Sequence, residues 1–80
     1  MKIKTQENKL IDMHEKEITT VKTPIGEHVI LAHTKDKKEG CMIGKYSTEA
    51  KTIRVLCAIQ VAKNHPERIR TFRMPQEGEV

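Results

Sequence analysis

Residues 47–66 read STEAKTIRVLCAIQVAKNHP, and this stretch decides the fold class. Ala50, Ile53, Leu56, Cys57 and Gln60 fall at the three- and four-residue spacing of one helix face, and Val55, Ile59 and Ala62 widen the apolar arc. The pattern predicts a helix over about 48–63. Ser47 is the candidate N-cap, because its hydroxyl can accept from the free amides of the first turn, and Glu49 places negative charge at the positive end of the helix dipole. At the other end Asn64 suits a C-cap, His65 suits the negative pole, and Pro66 cannot continue the helix. The arc is wider than one sheet face usually needs, which points to burial against more than one partner.

On the N-terminal side the signals are those of strands. Cys41–Tyr46 reads as a strand whose Gly44 marks a bulge or a close backbone approach. His28–Thr34 alternates, with Val29, Leu31 and His33 on one face and His28, Ile30 and Ala32 on the other; one face is apolar and the second partly so. The charged run Lys35–Gly40 between these strands reads as a solvated turn. Glu17–Thr23 carries the β-branched cluster Ile18, Thr19, Thr20 and Val21, and Thr23-Pro24-Ile25-Gly26 predicts a type I turn, with Pro setting φ at the second position. Lys2–Glu7 is the first strand, followed by a turn at Asn8-Lys9 before Leu10-Ile11. Beyond the helix, Glu67–Met74 reads as a last strand with Arg68, Arg70, Phe72 and Met74 on one face, closed by Pro75. The expectation is an α+β fold: an antiparallel β-meander of four to five short strands, one amphipathic helix and a final strand. Residues 1–75 form the single domain and residues 76–80 a flexible acidic tail.

Eighty residues leave no room for a second core, and a chain this short buries only about 60–65% of its unfolded surface, so self-association as a homo-oligomer is expected. Two cysteines, Cys41 and Cys57, without an N-terminal apolar stretch of the secretory kind point to a reducing cytoplasm. Both thiols are expected reduced, with Cys57 packed in the core as a small hydrophobe. The longest apolar runs fall far below the ~20 residues of a membrane span, so no membrane is expected as a partner.

The motifs of catalysis are missing from the sequence. His28 and His33 lie an odd number of residues apart, on opposite faces of a strand, and no Cys-x-x-Cys or His-x-x-x-His pair occurs, so no metal site is expected. There is no Gly-x-Ser-x-Gly elbow and no glycine-rich phosphate loop. The expectation is a protein that is not an enzyme and carries no cofactor. The charge pattern is more informative. Residues 51–73 hold Lys51, Arg54, Lys63, Arg68, Arg70 and Arg73 against Glu67 alone, and they contain every arginine of the chain. A guanidinium fork matches phosphate and carboxylate, so Arg54, Arg68, Arg70 and Arg73, with Lys45 and Lys63 as lesser members, are the candidate anion-binding residues. Arg68 and Arg70 share a predicted strand face. A nucleic-acid partner fits the basic segment less well, because the only aromatic residues for base stacking are Tyr46 and Phe72, both expected in the core. A host protein bound at a sheet edge or at the basic face is a third possibility.

The order of residues also carries a resemblance. Lys2-Ile3-Lys4-Thr5-Gln6, the run Met42-Ile43-Gly44-Lys45-Tyr46-Ser47-Thr48-Glu49 leading into an apolar helix, and Thr71-Phe72-Arg73-Met74-Pro75-Gln76-Glu77 resemble small proteins of phages and prophages of Gram-positive bacteria. The pattern is similar to the phage anti-Thoeris nucleotide sponges. That resemblance implies a non-catalytic, anti-defence homo-oligomer that sequesters cyclic nucleotide immune signals at interfaces between subunits. The known sponges are longer than this chain, which lacks room for their additional loop and strand.

Overall fold

The computed structural model describes residues 1–36 and 40–80. Among these residues six strands and one helix follow in the order β1 (Lys2–Lys4), β2 (Leu10–Asp12), β3 (Lys16–Lys22), β4 (His28–Thr34), β5 (Cys41–Tyr46), α1 (Glu49–Asn64) and β6 (Thr71–Arg73), with a 3-10 turn at Glu77–Glu79. The fold is α+β. The antiparallel meander is β3-β4-β5, whereas β1 and β2 form a hairpin in a second sheet of order β2-β1-β6, in which β6 runs parallel to β1. The solvated turn expected at Lys35–Gly40 lies partly outside the described residues, at positions 37–39.

Two hairpin loops are built the same way. At each, a threonine amide donates to the carbonyl four residues on (Thr5 to Lys9, Thr23 to Glu27, both 2.8 Å), and its own carbonyl accepts from the amide three residues on. Its hydroxyl then accepts from the fourth amide, at 3.1 Å in both loops. The third loop residue must enter left-handed space, and it is Asn8 in one loop (φ 65°) and Gly26 in the other (φ 86°), two residue types that tolerate it. The β1 loop begins at Thr5, which is why the first strand stops at Lys4 and not at Glu7.

The core lies between α1 and the two sheets: Ile3, Met13, Ile30, Ala32, Ile43, Tyr46, Val55, Ile59 and Met74 form one buried cluster, and Phe72 packs against it half-buried. On β4 the fully buried face is that of Ile30 and Ala32, while Val29 and Leu31 are half-buried. Gly44 satisfies both readings of its sequence position. The register shifts beside it, from Ile30 opposite Gly44 to Leu31 opposite Met42, and a Cβ at Gly44 would come 2.7 Å from Met74 Cε.

Several expectations are corrected. The N-cap is Thr48, whose hydroxyl accepts from Lys51 N at 3.2 Å; Ser47 instead donates its amide to Glu77 Oε1 at 2.8 Å. Asn64 is the last helical residue and His65 the C-cap. The buried face of α1 is Thr52, Val55, Ile59 and Ala62, so Ala50, Ile53, Cys57 and Gln60 of the expected core stripe are exposed, and Cys57 is a surface thiol. The last strand shrinks to Thr71–Arg73, since the His65 carbonyl accepts from Arg68 N (3.1 Å) and Ile69 N (3.0 Å) and holds that segment in a turn. Residues 76–80, expected as a flexible acidic tail, instead fold as a 3-10 turn in which Gln76 N donates to Glu79 Oε1 (2.8 Å) and Glu79 N to Gln76 O (2.9 Å), and Val80 packs on the core.

Candidate functional site

The C-terminal turn is joined to the body of the protein through Gln6. Its amide donates to Ile43 O (3.2 Å), its side chain accepts from Lys45 N (2.7 Å) and donates to Pro75 O (3.0 Å), and its carbonyl accepts from Gln76 Nε2 (2.9 Å). The residue thus ties β5, the β1 loop and the C-terminal segment together. Tyr46 donates its hydroxyl to the same Pro75 carbonyl at 2.7 Å. Burial, with Glu77 nearby, pushes that phenol up to about 12, so it is a structural donor held protonated.

This arrangement consumes part of the basic segment. Arg73 grips Glu79 with both fork nitrogens (2.7 and 3.3 Å), which raises the guanidinium's pKa and holds the carboxylate below its ordinary range. Glu77 accepts from Ser47 and faces the Lys51 ammonium at 3.4 Å, and these hydrogen bonds lower its pKa as well. Lys45 is paired with Glu27 at 3.1 Å. Arg54 borders a shallow hollow of about 250 Å³ with Pro75, Glu79 and Val80. Arg68 and Arg70 lie outside a strand, in the turn and just before β6, so they do not share a strand face; both are exposed and without an ion pair among the described residues. The six candidates therefore do not form one site. Arg73 holds Glu79, which lines the same hollow as Arg54; Arg68 and Arg70 lie together ahead of β6, Lys45 is on β5 and Lys63 near the end of α1.

A different concavity brings cations together. α1 packs chiefly over β4 and β5, so the core-side face of the edge strand β3 borders a groove rather than the helix. Lys16, Ile18, Thr20 and Lys22 share that face, because they pair with Thr34, Ala32, Ile30 and His28 of β4. Near the C-terminal end of α1 the groove widens to a cavity of about 400 Å³, with Ile18, Leu56 and Ile59 as its apolar lining and Lys16, Glu17, Gln60 and Lys63 as polar lining. Towards the N-terminal end a second widening of about 370 Å³ carries Lys22, His28 and Glu49. Neither Lys16 nor Lys63 has an ion pair among the described residues. Of the sequence candidates only Lys63 belongs here. Lys16 and Gln60 were missed, although Lys16, Ile18, Thr20 and Lys22 alternate at strand period, the one signal that could have placed Lys16 on the helix side.

Among the described residues no group of three histidine, cysteine, aspartate or glutamate side chains is arranged to hold a metal, and no helix is long and apolar enough to cross a membrane. Comparison with protein-family models, with curated proteins and with solved structures gives no match to this chain.

Proposed function

We propose that this is a non-catalytic binding protein that takes a small anionic ligand of the cyclic nucleotide class in the groove between β3 and α1, sequestering it as the resemblance to phage nucleotide sponges implies. The observation that supports this reading is the cavity of about 400 Å³ with Lys16 and Lys63 at its lining, an apolar floor for a base, and Gln60 as a neutral hydrogen-bonding group. Two ammonium groups from separate elements suit a phosphate as point charges, while Arg73 and Lys45 are engaged by Glu79 and Glu27. The proposal moves the site from the arginines named from the sequence to one lysine of that set and one outside it.

The test is a thermal-shift and calorimetric screen with cyclic nucleotides and cyclic ADP-ribose isomers, followed by the Lys16→Ala, Lys63→Ala double variant. A ligand at a hundred times its Kd should stabilise the chain by ~2.7 kcal/mol, a shift of several degrees in a protein this small. The double variant should bind at least tenfold more weakly; unchanged affinity removes the groove from consideration. A second reading, a nucleic-acid accessory role, is favoured by the exposed Arg68 and Arg70, which have no ion pair among the described residues; Arg70 adjoins Lys2, whose amide donates to Arg70 O. It requires steep salt dependence on duplex DNA, lost in Arg68→Ala, Arg70→Ala and unaffected by the lysine variants.

A further inference from the structure

The outward side of α1 carries an apolar stripe. Ala50, Ile53, Cys57 and Val61 follow one another at spacings of three, four and four, the stripe of one helix face, and all four are exposed, Ile53 by 51% and Val61 by 56%. At 100° per residue this stripe lies nearly opposite the buried Thr52, Val55, Ile59 and Ala62. We propose that it is the docking surface for a second copy of this chain, with the two α1 helices antiparallel and Cys57 at the twofold axis.

The face is self-complementary in that arrangement. With Cys57 facing its symmetry mate, Ile53 comes level with Val61 of the partner subunit, and the small side chains at Ala50 and Cys57 let the two helices approach closely. The helix ends agree in charge: the first turn carries Glu49 and the last turn Lys63, neither paired among the described residues. Both border the β3 groove and so lie on the same flank of the helix. A twofold axis perpendicular to the helices keeps that flank on one side, bringing each Glu49 beside the basic last turn of the opposite helix, twice by symmetry. The opposed helix dipoles favour the same direction. The surface lies on the far side of α1 from the core, so docking requires no rearrangement of the fold.

The experiment uses the full chain without ligand. Sedimentation equilibrium of the reducing-buffer protein should give a dimer, and the Ile53→Asp, Val61→Asp double variant should be monomeric with unchanged helical circular dichroism, its self-association at least a hundredfold weaker. Mild oxidation should link the parent through Cys57, so that Cys41→Ser still forms the covalent dimer and Cys57→Ser does not. In a Cys57→Ser background, a mixture of Ile53→Cys and Val61→Cys chains should give the mixed disulfide in preference to either self-disulfide, which sets the antiparallel direction. A monomeric parent, a dimer that survives the double aspartate variant, or cross-linking through Cys41 and not Cys57 overturns the proposal; an Ile53→Cys self-disulfide as the main product overturns the direction. The oxidation results decide the matter even if the aspartate variant does not fold.

Discussion

The two long faces of α1 carry nearly the same chemistry and meet opposite surroundings. Thr52, Val55, Ile59 and Ala62 are sealed against the sheets, while Ala50, Ile53, Cys57 and Val61, no less apolar, face outward. The even the polar member of the buried set is accommodated, since the Thr52 hydroxyl donates to Thr48 O at 3.0 Å. Apolar spacing identifies a face that can be buried; which face is buried depends on where the sheet lies. Here the neighbouring strands settle it, because β4 and β5 present Ile30, Ala32 and Ile43 to one side of the helix only.

The largest expected difference between the faces is in truncation. Ile59→Ala should cost about 2–5 kcal/mol, through lost burial and the cavity left behind, and in so small a domain that can abolish folding. Ile53→Ala, measured at concentrations too low for association, should change stability by no more than about 0.5 kcal/mol. Urea titration of the two variants reads both values, and equal losses would mean that the exposed face is packed within the monomer.

The buried side should also respond to alkali. Tyr46 shares the core with Val55 and Ile59, and its titration is raised from the ordinary tyrosine range near 10 to about 12. A raised folded value contributes stability that is complete below pH 10 and is lost as pH rises towards 12. Two units correspond to about 3 kcal/mol at most. Tyr46→Phe should remove this part of the alkaline loss, at the cost of the hydrogen bond to Pro75, and a parent whose denaturation midpoint is flat between pH 9 and 12 would contradict the assignment.

The smallest effect concerns the entry to the helix that carries both faces. Thr48→Ala should destabilise the protein by about 1 kcal/mol, because it removes the acceptor for Lys51 N, whereas Ser47→Ala leaves that cap in place and keeps the amide bond to Glu77. If Ser47→Ala were the costlier change in thermal unfolding, the capping roles would be reversed.

How far the candidate site was legible follows from the same physics. Lys63 could be placed on the helix from its spacing, and Lys16 on β3 from strand alternation, but their convergence on one cavity depends on α1 covering β4 and β5 and leaving the face of β3 open. Composition could not show that Arg73 is occupied, because its partner Glu79 lies in a segment that reads as a loose acidic tail and is folded by contacts with distant residues, Gln6 and Ser47 among them. No local pattern marks the role of Gln6, which rests on bonds to Ile43, Lys45, Pro75 and Gln76, all far along the chain.

By itself the sequence determined what short-range chemistry controls. The span of β4 follows from side-chain alternation, that of β5 from the charged run before it, the hairpin at Thr23–Gly26 from Pro24 and Gly26, and the helix from its apolar spacing, its acidic first turn and Pro66. Only the tertiary structure decided the division into two sheets with β6 parallel to β1, the side of α1 that is buried, the exposure of Cys57 and the fastening of the C-terminal turn. Each of these is a choice between alternatives that local propensity leaves nearly equal, and it is made by contacts between residues far apart in the chain, whose energies no local pattern encodes.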